Sequence, residues 1–351
     1  MAESEIHCER RGAAGFIRLA RPRALNALTP GMVAGMAQAL DAFEHDPAVE
    51  RVVVCGEGGK AFCAGGDIRL MHDLGRAGRH DEQLAFWHDE YRLNARIARY
   101  PKPYVALIDG IVMGGGVGVS LHGSHRVASE KYLFAMPEVG IGFFPDVGAS
   151  HVLARLPHEA GTWLALTGGR IGAGDALALG LATHFVSSEQ FPALAQALEG
   201  RGDTNMILSA QAAPPPEALL AGHFKTMARS FAGASLAAVV GALDVDASEF
   251  ARNTLATLHR VSPTSLAIAL RQLREAVHVS LEECLRMDFR IVSRICRGHD
   301  FYEGVRTVIV DKDQAPRWMP AHIEDLSRSA TDAYFASLGA GELTFAQGVT
   351  A

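Results

Sequence analysis

The stretch Asp109-Gly-Ile-Val-Met-Gly-Gly-Gly-Val-Gly118 is the most informative part of the chain, because its three consecutive glycines join a predicted buried strand to a predicted helix. The strand is predicted over residues 104–109 (YVALID) and the helix over residues 117–122. Glycine at such a junction allows backbone or a ligand to approach the main chain closely. Two interpretations stay open at this point: close packing of the helix on the sheet, or binding of a phosphate or oxyanion by free N–H groups.

Upstream of this stretch the predicted order is strand, helix, strand. Residues 15–20 and 51–56 are short β-branched runs that end at turn-forming residues, as strands do. Between them, Thr29 and Pro30 are predicted to begin a helix that ends before Pro47. Further helices and strands alternate downstream, with a helix over 81–100 and strands over 125–129, 132–135 and 183–187. This alternation predicts an α/β fold.

The composition changes after residues 212–217 (AAPPPE), which cannot form a regular helix or sheet. Downstream residues are rich in Ala, Leu, Arg and Glu at helical spacing. We therefore predict an α/β core over residues 1–211 and a mainly helical region over residues 218–351. Residues 307–310 are ambiguous between helix and strand.

Composition and charge exclude several classes of protein. The 351 residues include 33 Lys and Arg and 39 Asp and Glu, a net charge of −6 that argues against a nucleic-acid partner. No apolar run is long enough to predict a membrane span, and the N-terminus resembles no secretory signal, so we expect a cytoplasmic protein without membrane contact, with an organelle matrix as the alternative location. The five cysteines show no CxxC spacing and no nearby histidine cluster suited to zinc, which predicts free thiols in a reducing compartment and no metal site.

A second glycine-rich turn, Lys60-Ala-Phe-Cys-Ala-Gly-Gly-Asp67, follows the strand over 51–56. This turn could supply another backbone N–H, and two such donors would form an oxyanion hole. The alternative is an ordinary loop in which Asp67 caps the following helix.

Two carboxylates, Glu138 and Asp146, stand eight residues apart among apolar residues and glycines. Burial in such surroundings raises a carboxyl pKa toward the range that suits acid or base catalysis, and a pair can divide the two roles. The alternative is structural, because Pro-Glu and Pro-Asp commonly begin helices.

Together these segments resemble the crotonase (enoyl-CoA hydratase/isomerase) superfamily. The resemblance rests on ordered motifs at residues 21–28, 60–67, 109–118, 166–171 and 176–181. It implies an α/β core of the repeated ββα spiral type, followed here by a mainly helical region. The motifs at residues 113–123 and 134–148, with 297–306 and 310–314 downstream, are most similar to the branch that hydrolyses 3-hydroxyisobutyryl-CoA in valine breakdown.

The resemblance also implies which residues act. The oxyanion hole would be formed by the N–H groups of Gly66 and Gly115, in an acyl-CoA site carried by the α/β core. The acidic site residues would be Glu138 and Asp146, and the residues in contact with the substrate would be Glu90, Arg23, Ala24, Leu25, Ala64 and Asp67. No metal and no cofactor beyond the coenzyme A of the substrate would be needed. Relatives in this superfamily often assemble as trimers, so a homo-oligomer is possible here.

One departure from the family pattern bears on the reaction. Enoyl-CoA hydratases carry two glutamates, and the first would fall at position 118, where this chain has Gly118. Hydration needs an activated water and a proton for the α-carbon, so the missing carboxylate favours a thioester hydrolase. An enoyl-CoA hydratase or isomerase and a non-catalytic acyl-CoA-binding protein stay as alternatives. The role of Glu138 as nucleophile or general base, the division of work between Asp146 and Glu90, and the preferred acyl group stay open.

Overall fold

The computed structural model describes residues 4–345, and these residues group into two compact units. The first unit contains the chain up to Asp67 together with Arg96–Ala135 and Arg170–Ala221. The second contains Ile68–Ala95, Met136–Gly169 and the chain from Gly222 onward. Each unit therefore draws on three segments of the chain, and the predicted division into residues 1–211 and 218–351 stays a prediction.

The strands of the described chain all lie before residue 186, and only helices and their connections follow. The strands are β1 (Ile6–Arg11), β2 (Ala14–Leu19), β3 (Arg51–Gly56), β4 (Ala61–Cys63), β5 (Tyr104–Ile108), β6 (Ile111–Met113), β7 (His125–Ala128), β8 (Leu133–Ala135) and β9 (His184–Phe185). The α-helices are α1 (Pro30–His45), α2 (Ile68–Arg76), α3 (His80–Ala98), α4 (Gly115–Leu121), α5 (Ala149–Leu153), α6 (Ala160–Thr167), α7 (Ala173–Ala178), α8 (Phe191–Leu198), α9 (Thr204–Gln211), α10 (Phe224–Ser230), α11 (Leu236–Asp244), α12 (Glu249–Leu258), α13 (Pro263–Ala276), α14 (Leu281–Ile295), α15 (His299–Val305) and α16 (Asp332–Phe335).

Two sheets form the first unit. The larger has the order β1-β2-β3-β5-β7-β9, in which only β1 and β2 pair antiparallel, and the smaller has the parallel order β4-β6-β8. Each successive pair of strands, β3–β4, β5–β6 and β7–β8, places one strand in each sheet. This repeated arrangement is the ββα spiral that the resemblance implied, and the predicted α/β class is confirmed.

An apolar core and one buried arginine hold the first unit together. Phe16, Val53 and Val105 pack with side chains from α8 and α9. The Arg51 side chain is 1% exposed and donates to the carbonyl oxygens of Leu198, Gly200 and Gly202. A buried guanidinium needs its donors satisfied, and these carbonyls at the end of α8 and just after it satisfy them.

The second unit is helical, which confirms the helical C-terminal region predicted from the sequence. An aromatic cluster lies in its interior: the Trp87 ring stacks on Phe143 at 5.6 Å between centroids, and Phe143 lies 5.7 Å from Phe301. The ambiguous residues 307–310 form part of a π-helix, Arg306–Val310, and not a strand. Among residues 4–345, no helix combines the length and apolar character that crossing a membrane requires.

Candidate active site

The predicted oxyanion donors lie in the first unit, on two loops that follow β4 and β6. The Leu28 N–H donates to the Gly65 carbonyl at 2.8 Å, and the Asp67 N–H donates to the Leu28 carbonyl at 2.9 Å. This bridge fixes the main chain on both sides of Gly66 without using the Gly66 N–H. Gly115 is the first residue of α4, so its N–H has no acceptor within the helix.

The end of β4 and the start of α4 pack so closely that a side chain is excluded at Gly116. A Cβ atom at Gly116 would lie 2.2 Å from the Cys63 carbonyl oxygen, and one at Gly65 would lie 3.8 Å from the Gly115 nitrogen. Gly114 precedes α4 with a φ of +48°, a conformation that favours glycine. The glycine run is therefore consistent with both interpretations made from the sequence. It permits close packing of the helix, and it leaves backbone N–H groups available to a phosphate or oxyanion.

The predicted coenzyme A turn adjoins the same loop. Pro22–Ala24 form a 3₁₀ turn that carries Arg23 and Ala24 at the surface, and Leu25 ends it in a left-handed conformation with a φ of +51°. The Ala64 N–H donates to the Leu25 carbonyl at 3.0 Å, which ties this turn to the loop of Gly66. Asp67 accepts from the Arg21 guanidinium at 2.9 Å. The structure thus brings Arg23, Ala24, Leu25, Ala64 and Asp67 into one neighbourhood.

The predicted acids lie in the second unit. Glu138 begins a 3₁₀ turn, Glu138–Ile141, and is 6% exposed. Two glycines let α15 approach this turn: a Cβ atom at Gly142 would lie 2.0 Å from the Asp300 carbonyl oxygen, and one at Gly304 would lie 2.2 Å from the Ile141 carbonyl carbon. The motif at residues 297–306 therefore supports the turn that carries Glu138.

Asp146 and Glu90 are buried in the same unit as Glu138. Asp146 is 5% exposed, and its Oδ2 accepts a hydrogen bond from the Tyr91 hydroxyl at 2.7 Å. Tyr91 and Glu90 are neighbours on α3, and Glu90 is 2% exposed. The negative charge of Asp146 acts on both Glu90 and Glu138, so the three acids form one electrostatic cluster.

Burial is the main influence on the protonation of these acids. It raises the pKa of Asp146 to about 7, and the hydrogen bond from Tyr91 opposes that rise. Burial raises the pKa of Glu138 well above its usual range, and the charge of Asp146 adds to the effect. The pKa of Glu90 is raised for the same two reasons. Carboxyls of this kind can accept or deliver a proton near neutral pH.

Several buried polar atoms in this cluster lack a partner within the described chain. They are Glu90 Oε1, Glu138 Oε2 and both amide atoms of Asn94, which lies one helical turn after Glu90. An unpaired buried polar atom costs free energy, about 1–3 kcal/mol. A polar ligand can supply the hydrogen bonds that these atoms lack within the described chain. Among residues 4–345, no three His, Cys, Asp or Glu side chains are arranged to hold a metal ion.

Sequence reasoning missed four polar residues of this region: Tyr91, Asn94, Gln272 and Asp288. All four are at most 1% exposed. A signal was present in α14, where Asp288 occupies an apolar face between Leu285 and Val292 at helical spacing. A carboxylate on an apolar face is rarely without a function or partner.

The Tyr91 hydrogen bond gives a pH prediction. Replacing Tyr91 with Phe removes a donor that stabilises the ionised form of Asp146, so the pKa of Asp146 should rise above its value of about 7. The limb of the pH–activity profile that follows the titration of Asp146 should move to higher pH by about one pH unit, whichever protonation state is active. A kcat/KM profile over pH measures this shift.

Tyr104→Phe is the matched control for this experiment. The Tyr104 hydroxyl is also buried, but it donates to the Val119 carbonyl at 2.7 Å in the first unit. This variant should lose a buried hydrogen bond and leave the limb in place. A limb that stays fixed in Tyr91→Phe, or moves to lower pH, would contradict the assignment.

Comparison with known proteins places the chain in a family. The enoyl-CoA hydratase/isomerase family model matches residues 14–335. The chain belongs to this family. A relative named 3-hydroxyisobutyryl-CoA hydrolase, mitochondrial, from Xenopus tropicalis is 46% identical, over 97% of this chain and 91% of the relative.

Two solved structures of this family share the fold across nearly the whole chain. An enoyl-CoA hydratase from Rhodobacter sphaeroides is 41% identical with a TM-score of 0.92, and covers 97% of this chain and 100% of its own. A carnitinyl-CoA dehydratase from Mycobacterium thermoresistibile is 38% identical with a TM-score of 0.93, and covers 98% of this chain and 99% of its own. The helical C-terminal region is therefore part of the shared fold.

Proposed function

We propose that this protein hydrolyses the thioester of 3-hydroxyisobutyryl-CoA, releasing 3-hydroxyisobutyrate and coenzyme A. The observation that carries the proposal is the buried acid cluster of Glu138, Asp146 and Glu90, with carboxylate oxygens left open, in a chain that has Gly118 in α4. The mitochondrial hydrolase of Xenopus tropicalis, similar over nearly the whole chain, supports the choice of substrate.

The backbone donors have the first role in the proposed mechanism. The N–H groups of Gly66 and Gly115 donate to the thioester oxygen and stabilise the negative charge that develops when the carbonyl carbon is attacked. Each such donor is worth about 10²- to 10³-fold in rate. Arg23 is exposed and available to a phosphate of coenzyme A, while Ala24, Leu25, Ala64 and Asp67 shape the surrounding turn.

Glu138 performs the attack or activates the water that does. Its raised pKa makes its carboxylate a stronger base than an exposed glutamate, and its Oε2 has no partner within the described chain to compete for that role. Asp146, with Glu90, binds the 3-hydroxyl of the substrate or delivers the proton to the leaving thiolate. The proposed reaction uses no metal and no cofactor besides the coenzyme A that the substrate carries.

The second candidate function is hydration of an enoyl-CoA, which the printed names of the two solved structures favour. Against it, α4 carries Gly118 where hydration would use a first glutamate. We propose a cytoplasmic or organelle-matrix location, and the name of the Xenopus tropicalis hydrolase, a mitochondrial protein, supports the second of these. Assembly into a homo-oligomer stays a prediction.

Two substrates assayed side by side test the proposed function. Purified protein should release free thiol from 3-hydroxyisobutyryl-CoA and leave the enoyl absorbance of crotonyl-CoA unchanged. Loss of the enoyl absorbance without thiol release would mean that hydration proceeds without a carboxylate at position 118. If neither ester gave a change in thiol or in enoyl absorbance, the result would favour a binding protein or a different acyl group, and would contradict the proposal.

A further inference from the structure

A fourth buried carboxyl, that of Asp288, lies in the second unit with Asp146. Asp288 in α14 is fully buried, and its Oδ2 accepts from the Gly148 N–H at 2.8 Å. Its Oδ1 accepts from Gln272 Nε2 at 2.6 Å. Gln272 in α13 is 1% exposed, and the same nitrogen donates to the Pro145 carbonyl at 2.9 Å. The two side chains therefore hold the main chain on both sides of Asp146.

The main chain that they hold needs such support. Val147 has a φ of +55° and Gly148 a φ of +70°, so both residues after Asp146 are left-handed. A β-branched residue rarely adopts this conformation, because its side chain crowds the backbone. The direction of the Asp146 side chain depends on this turn. The hydrogen bond to Gly148 fixes the turn at its strained end.

Packing alone does not explain a carboxylate at position 288. The neighbouring face of α14 carries Leu285 and Val292, and a leucine would fill the same space without burying a charge. What the carboxylate adds is two hydrogen-bond acceptors in fixed directions, one toward Gly148 and one toward Gln272. Both are used, which points to a role in holding the backbone.

We propose that Asp288 and Gln272 are positioning residues that hold the 145–148 turn in the geometry in which Asp146 acts. Asp288 touches no reacting atom in this account. It acts through the Gly148 N–H, and Gln272 acts through the Pro145 carbonyl. The catalytic consequence rests on the proposed function, in which Asp146 binds the substrate hydroxyl or shuttles a proton.

Leucine variants of the two residues test the proposal. Asp288→Leu and Gln272→Leu should each lower kcat for 3-hydroxyisobutyryl-CoA by about 10- to 100-fold and leave KM nearly unchanged, because misplacement affects the chemical step more than coenzyme A binding. Hydrogen–deuterium exchange at residues 145–149 should become faster in both variants, a readout that does not depend on turnover.

Asp288→Asn separates the hydrogen bond from the charge. Both Asp288→Asn and Asp288→Leu remove the ionisable carboxyl. In Asp288→Asn the carboxamide oxygen can still accept from the Gly148 N–H, whereas its NH2 group cannot accept from Gln272 Nε2. We expect kcat of Asp288→Asn to exceed that of Asp288→Leu by at least about tenfold. Asp175→Leu is the matched control, since Asp175 is a buried carboxylate that accepts from the Leu220 N–H at 2.7 Å in the first unit. It should lose stability and keep kcat per folded molecule.

Three results would overturn the proposal: wild-type kcat in Gln272→Leu, equal kcat in the Asn and Leu variants of Asp288, or unchanged exchange at residues 145–149. Gln272→Leu keeps the claim testable even where Asp288→Leu does not fold. Asp146→Asn, assayed in parallel, tests the proposed function separately. If Asp146→Asn retains full turnover, the role proposed for Asp146 fails. If it is inactive while both leucine variants have wild-type kcat, only the positioning role fails.

Discussion

Glu138→Gln should lose turnover of 3-hydroxyisobutyryl-CoA by about 10²- to 10⁴-fold while still binding the ester. The amide has the shape of the side chain but can neither attack the carbonyl nor accept a proton from water. Because coenzyme A is held elsewhere in the proposed mechanism, the Kd of the ester should change by no more than about twofold. Steady-state thiol release and calorimetric titration of the ester measure the two quantities.

The stability of Glu138→Gln provides a check that the loss is chemical. Burial raises the pKa of Glu138 in the folded protein, so the wild type loses stability as pH rises through that folded pKa. The variant has no charge to bury and should unfold at an equal or higher urea concentration at pH 8. Glu283→Gln is the control, since Glu283 forms ion pairs with Arg286 and Arg290 on the same helix and should keep full turnover. Wild-type turnover in Glu138→Gln would contradict the mechanism.

Gly116→Ala should lower kcat by about 10²- to 10³-fold, because it disturbs both oxyanion donors at once. The new Cβ atom would lie 2.2 Å from the Cys63 carbonyl oxygen and 2.9 Å from the carbonyl carbon, both main-chain atoms. The contact can be relieved only by moving β4 and α4 apart, which displaces the N–H groups of Gly66 and Gly115. Thiol-release kinetics with the hydroxyacyl ester measures the effect.

Gly12→Ala separates this effect from general destabilisation. A Cβ atom at Gly12 would also lie 2.2 Å from a carbonyl oxygen, that of Glu199, and Gly12 has a φ of +58°. Both variants should lose stability, by about 1–3 kcal/mol. Only Gly116→Ala should lose kcat per folded molecule. Equal kcat in the two variants would remove the case for an oxyanion hole at these loops.

The sequence predicted the long elements of the fold well, because their signals are local. The helix Pro30–His45 begins where Thr29 accepts from the Met32 N–H, as its capping pattern predicts. The strands of the large sheet appear as apolar runs. β4 and β6 have three residues each and lie within the glycine-rich stretches, so they are too short to show a period. β1 is an edge strand with charged residues, which hides its alternation.

Some residues of the candidate site could likewise be predicted from the sequence, and others could not. Gly66, Gly115, Glu138 and Asp146 stand in contiguous motifs, so the sequence and its family resemblance could identify them. The partners of Asp146 and its turn could not be identified, because Tyr91 lies 55 residues before Asp146, and Asp288, which accepts from Gly148, lies 140 residues after Gly148. Such contacts depend on how α3 and α14 pack, and the local spacing of apolar residues in the sequence does not predict that packing. The burial that raises the pKa of Asp146 is likewise a property of the folded unit.

Assaying one substrate for two possible products distinguishes hydrolysis from dehydration. Thioester hydrolysis converts 3-hydroxyisobutyryl-CoA into 3-hydroxyisobutyrate and free thiol, whereas a hydratase acting in reverse would remove water and form an enoyl-CoA. Thiol titration and mass spectrometry of the same reaction count both products. The proposed hydrolysis should give one thiol and one hydroxy acid for each ester consumed. An enoyl-CoA product with no free thiol would contradict it.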